Sequence, residues 1–78
     1  MTDIYPLSKA DIRSKLFWLR QDLEFQIHGL QRLRDTMSEE MLRTGSPTTD
    51  DMLISAKHFL EYALDTIKDT QKRYEHEH

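Results

Sequence analysis

Thr44-Gly45-Ser46-Pro47 is the stretch that decides the fold. It is the one place where the chain's two residue types with special backbone behaviour sit together: Gly reaches left-handed conformations and Pro cannot continue a hydrogen-bonded ladder. On either side run long segments without Pro and with apolar residues at spacings of three and four, the mark of amphipathic helices. A connection this short makes the helices antiparallel neighbours. The reading is an all-α, antiparallel two-helix hairpin, coiled-coil-like, with a short N-terminal extension. One domain covers 1–78, with a helix over about 9–43, a turn over about 44–47 and a second helix over about 47–75.

Each helix carries its own start signal. Ser8 with Asp11 three residues on is a capping pair, and Leu7 with Ile12 is spaced as a hydrophobic staple. A helix from Lys9 to Arg43 would be about 50 Å long, closed by Gly45 in the left-handed position. For the second helix, Ser46 caps with Pro47 at the first helical position, or Thr48 caps with Asp51 one step later. Asp50 and Asp51 suit the positive end of the helix dipole, and Lys68, Lys72 and Arg73 suit its negative end.

Composition narrows the function classes. A chain of 78 residues supports one domain and a small core. Without Cys there are no disulfides, thiolate metal sites or thiol nucleophiles. Charged residues make up 32% and hydrophobic ones 37%, and Val is absent, which suits exposed helices over sheets. The net charge of −3 disfavours a nucleic-acid partner. Residues 1–45 carry 7 bases and 7 acids, and residues 46–78 carry 4 bases and 7 acids, so neither half offers a basic face. No run of 18 apolar residues is present for a membrane span, and the first residues lack the pattern of a signal peptide. The expectation is a soluble cytoplasmic protein without membrane insertion.

At 100° per residue, helix 1 places Ile12, Leu16, Leu19, Leu23, Ile27, Leu30, Leu33, Met37 and Met41 on one stripe. Helix 2 does the same with Met52, Ala56, Phe59, Leu60, Ala63, Ile67 and Tyr74. The predicted seam comprises Leu16, Leu19, Leu23, Ile27, Leu30 and Met37 facing Ala56, Phe59, Ala63, Ile67 and Tyr74, with the two alanines allowing close approach. Too much apolar surface then remains. Trp18 and Phe25 point roughly 130–145° away from the helix 1 stripe, with Gly29 beside them and Phe17 on a flank. Leu53 and Leu64 widen the helix 2 arc beyond what a two-helix seam covers, and Leu60, Ala63, Ile67 and Tyr74 lie on an arc that could serve either seam or partner. Phe17, Trp18, Phe25, Gly29, Leu53, Leu60 and Leu64 are therefore the candidate partner interface, unless residues 4–7 fold back over Trp18 and Phe25 or these two are scattered surface aromatics. Tyr62 and Ile54 point elsewhere.

No catalytic constellation is found, and the expectation is a non-enzyme without cofactor or metal. His28 and His58 read as solvated rim residues. Glu39-Glu40 and Asp50-Asp51 read as helix-end electrostatics rather than cation ligands. Glu75-His76-Glu77-His78 reads as a polar tail, with weak Cu²⁺ or Zn²⁺ affinity as the sharper alternative.

Helix 2 also carries a resemblance. Pro47 opening a polar first turn, then Leu60-Glu61, Ala63, Ile67, Arg73-Tyr74 and His76, resembles the C-terminal helix of the small YscE/SsaE/EscE subunits of type III secretion systems. The similarity spans Pro47 to the C-terminus and extends to helix 1 only through pattern and total length. It implies a helical hairpin that pairs with a tetratricopeptide-like chaperone and, through it, keeps the needle subunit from polymerising in the bacterial cytosol. Trp18 and Phe25 are outside the resemblance. Two other readings compete: a self-assembling, needle-like structural subunit, and a homodimeric four-helix-bundle regulator. A weak homodimer in isolation is compatible with the leading one.

Overall fold

The computed structural model describes residues 8–76 and contains three helices: α1 over Lys9–Thr36, α2 over Glu39–Leu42 and α3 over Thr49–His76. The two long helices pack against each other as an all-α hairpin, and α2 lies in the connection. No strand occurs among the described residues. Three side-chain links set the register across the hairpin. Arg20 donates to Gln71 at 3.2 Å, Lys57 donates to Gln31 at 3.0 Å, and Arg34 pairs with Asp50. Residue numbers rise on one helix as they fall on the other, so the helices are antiparallel.

The start of α1 is as expected. The Asp11 amide donates to Ser8 Oγ at 3.1 Å, and the Ser8 hydroxyl donates to the Asp11 carboxylate at 2.8 Å. One of the four amides orphaned at a helix start is thereby satisfied. Leu7 and residues 4–7, proposed as a staple and as a cover for Trp18, lie outside the described residues.

The end of α1 is a correction. The helix was expected to reach Arg43 but stops at Thr36, where Met37 turns to φ −83°, ψ 144°. Ser38 then caps a new helix, accepting from the Met41 amide at 3.2 Å, with Glu39 and Glu40 in its first turn. A Ser followed by two acids is itself a start signal. It competes locally with continuation of α1, because a cap residue takes extended rather than helical dihedrals. The Thr36 hydroxyl donates back to the Leu33 carbonyl at 2.9 Å, satisfying an acceptor at the closing end.

The connection resolves the two caps weighed for helix 2. Pro47 lies outside α3, and the Ser46–Pro47 peptide is cis. Thr48 is the cap: its hydroxyl accepts from the Asp51 amide at 3.1 Å, and its carbonyl accepts from Met52 at 3.0 Å. The Thr49 amide reaches the Thr44 carbonyl at 2.9 Å and closes the loop. Gly45 does adopt a positive φ, +95°, and a Cβ there would stand 3.0 Å from the Pro47 carbonyl oxygen. It follows α2 by two residues rather than terminating α1.

The core is small. Among the described residues only Leu16, Ile27 and Leu64 are buried, and no side chain of these residues is completely hidden. The molecule measures 52 × 34 × 17 Å. Its short dimension is that of one layer of packed helices, whose diameters are about 10–12 Å with side chains; among the described residues each long helix has the other as its one long neighbour.

Candidate protein-binding surface

The seam selects one face of each long helix. On α1, Leu16 and Ile27 are buried, and Ile12, Leu23, Leu30 and Met37 are half-buried around them. On α3, Leu64 is buried, and Leu53, Leu60, Ala56, Ala63, Ile67 and Tyr74 are half-buried. Two corrections to the expected seam follow. Phe59 was placed inside and is 75% exposed, and Leu19, also placed inside, is 48% exposed. One correction applies to the expected interface. Leu64 was placed outside and is buried against the α1 side, bordering the same groove as Ile27. Leu53 and Leu60 also contribute to the seam edge rather than standing free.

One physical reason covers these differences. Helix α3 is rotated so that Leu53, Leu60 and Leu64 face α1, which brings Asp50, Lys57 and Gln71 within reach of Arg34, Gln31 and Arg20. A seam built on Phe59 would turn α3 away and separate all three pairs. Buried polar groups need partners, and half-buried charges gain more from pairing than exposed ones. The Asp50 carboxylate, hydrogen-bonded and opposite in charge, raises the Arg34 pKa above its ordinary value.

The rotation makes the hairpin two-sided. One side of the seam is polar. Glu24 and His28 of α1 meet Glu61, Asp65 and Lys68 of α3 along one groove, and Gln31 and Arg34 meet Lys57 and His58 along the next. The other flank carries Leu19 and Leu33 on α1, both about half exposed, and the uncharged face of α3. The α1 surplus is where the sequence places it; on α3 a surplus is also expected, but it consists of Met52, Phe59 and Tyr62 rather than Leu53, Leu60 and Leu64.

The α1 surplus lies on the face turned away from α3. Trp18 is 62% exposed and Phe25 77% exposed, and they line one shallow hollow with Gln21, Asp22 and His28. Phe17, 47% exposed, meets Trp18 edge-on, with ring centroids 5.4 Å apart and planes at 81°. That is a favourable aromatic geometry, and it holds the indole in place against the helix. A Cβ on Gly29 would meet no atom within 4 Å, so the residue leaves open space at the end of the strip.

The α3 surplus consists of Met52, Phe59 and Tyr62, which are 60%, 75% and 75% exposed. They border two adjoining hollows with Ser55 shared between them. Their spacing in sequence was visible as a 3–4 pattern, but the aromatic members were assigned to the seam or left unassigned.

His28 and His58 are both exposed; each borders a polar groove and also an apolar hollow, His28 that of Trp18 and Phe25 and His58 that of Phe59 and Tyr62. Glu39 pairs with Arg43 at 3.1 Å along one turn of α2, and Asp50 with Arg34, so each acidic pair has a member held by arginine. No cluster of three or more metal-ligating side chains occurs among the described residues. The terminal run at 75–78 lies largely outside them. No helix of the structure is long and apolar enough to cross a membrane. No family model, curated protein or solved structure matches the chain.

Proposed function

We propose that this chain is a non-enzymatic protein-binding hairpin, a type III secretion co-chaperone that pairs with a tetratricopeptide-like chaperone. Through that partner it keeps the needle subunit soluble in the bacterial cytosol. The observation that carries the binding role is the exposed strip of Trp18 and Phe25 on the face of α1 turned away from α3, with Phe17 on its flank. Fully burying a large apolar side chain is worth about 1.5–3 kcal/mol. Aromatic residues are also the side chains most often found as interface anchors. A helical-repeat protein presents a concave surface into which such a helix fits, and Gly29 leaves room for a close approach. The specific partner rests on the resemblance of the Pro47–His76 segment to the YscE/SsaE/EscE subunits.

Co-expression with candidate tetratricopeptide-like chaperones, followed by size-exclusion chromatography, tests the reading. Co-elution is expected. Trp18→Ala with Phe25→Ala should weaken capture by about tenfold or more while leaving the circular dichroism of the free hairpin unchanged, because neither side chain belongs to the seam. Separate elution of the wild-type proteins would reject the chaperone pairing. Unchanged affinity of the double variant would reject this strip as its site.

A further inference from the structure

We infer that the outward face of α3 is a self-association surface, on which a second copy of this chain packs its own α3 antiparallel. On this face Met52, Ser55, Phe59, Tyr62, Ala63, Thr66 and Thr70 follow one another at helical spacing, and none is charged. Met52, Ser55, Phe59, Tyr62 and Thr66 are all exposed. A helix face that is uncharged along its centre over five turns, with charge only at its edge and end, is what a helix–helix interface requires and what water disfavours. Most of the charge of the helix lies on its polar side, with Lys57, Glu61, Asp65 and Lys68, while Asp51 and Asp69 edge the face and Arg73 closes it.

Shape and charge choose the occupant. When the face is laid antiparallel on its own copy, large residues meet small ones. Phe59 falls opposite Thr66 of the second copy, Tyr62 opposite its Ala63, and Ser55 opposite its Thr70. Such alternation lets facing side chains interdigitate. In a parallel arrangement Phe59 and Tyr62 would each meet themselves. The ends agree with this choice. Asp51 borders the hollow of Met52 and Phe59 at the start of α3, and Arg73 lies on the face near its end. Both are exposed, and neither forms an ion pair among the described residues. The antiparallel register brings Asp51 beside Arg73 of the second copy at both ends, as an isologous two-fold interface demands. From Met52 to Arg73 the contact is about 30 Å long. It leaves the Trp18–Phe25 strip free, since that strip faces outward on the other helix, so this proposal does not depend on the chaperone reading.

Sedimentation of the isolated chain across micromolar concentrations tests it. A monomer–dimer equilibrium is expected, and Phe59→Glu should weaken it by about tenfold or more with helix content unchanged. Trp18→Ala should leave it unaffected. The absence of cysteine allows orientation to be read directly. Ser55→Cys chains mixed with Thr70→Cys chains should oxidise to a disulfide-linked pair, while Ser55→Cys chains alone should not. A wild-type chain that stays monomeric, dimerisation indifferent to Phe59→Glu, or ready crosslinking of Ser55→Cys alone would each overturn the proposal. Capture of the repeat chaperone by a purely monomeric hairpin would support the function above while refuting this interface.

Discussion

Leu64 and Phe59 stand five residues apart on the same helix, yet Leu64 is 9% exposed and Phe59 75%. The larger side chain has the weaker burial. Hydrophobicity alone would have reversed the two, because aromatic rings offer more area to hide. The difference teaches that the apolar arc of α3 is wide enough to admit two orientations. The choice between them is made by what flanks each. Beside Leu64 lie the side chains that reach Arg34, Gln31 and Arg20. Beside Phe59 lie Ser55 and Met52, which have nothing to offer α1 but contact.

The sharpest way to break this comparison is to place the same charge at both positions. Leu64→Asp should cost several kcal/mol by burying an unpaired carboxylate in the seam, and thermal melting should show a hairpin close to unfolded. Phe59→Asp should shift the melting of the monomer by about 0.5 kcal/mol or less, the usual range for an exposed position. Equal losses at the two sites would mean that α3 is rotated from the orientation described.

Smaller effects test how the connection holds that orientation. Gly45→Val should cost about 1–3 kcal/mol, since a β-branched residue is strained at positive φ and its Cβ meets the Pro47 carbonyl. Urea denaturation would measure the loss, and an unaltered midpoint would exclude this turn geometry. Thr48→Ala should cost about 1 kcal/mol as the loss of a cap, whereas Ser46→Ala should be close to neutral. The reverse order would restore Ser46 as the start of α3.

The smallest change should have the opposite sign. Gly29→Ala adds a methyl into open space and removes the entropy cost of Gly inside a helix, stabilising the chain by about 0.5–1 kcal/mol. If the Phe17–Trp18–Phe25 strip takes a partner at close range, the same substitution should weaken that complex while raising the melting temperature of the free hairpin. A gain in both would show that no partner approaches at Gly29.

Much of the architecture was legible because its causes are local. Ser8 with Asp11, the Gly45–Pro47 break and the 3–4 spacing of the apolar residues each act within a turn or two of chain. The break at Met37–Ser38 was equally local, and its signal, Ser38 before Glu39 and Glu40, was open to the same reading. It was passed over because the apolar stripe runs on through Met37 to Met41. Periodicity shows which residues want burial but not whether the backbone beneath them is continuous. On α1 the spacing of Trp18 and Phe25 pointed outward, as the structure has it. There the stripe is narrow enough to leave one orientation.

The amino-acid sequence by itself determined that there are two long helices, that Gly45 and Pro47 lie in their connection, and that their apolar surface exceeds what one seam can cover. These are consequences of backbone chemistry and of counting. The tertiary structure alone decided which part of the α3 arc is covered and which is left over. That choice depends on polar side chains far apart in sequence, Arg20 with Gln71 and Arg34 with Asp50. Their pairing energy exists only once the two helices lie side by side.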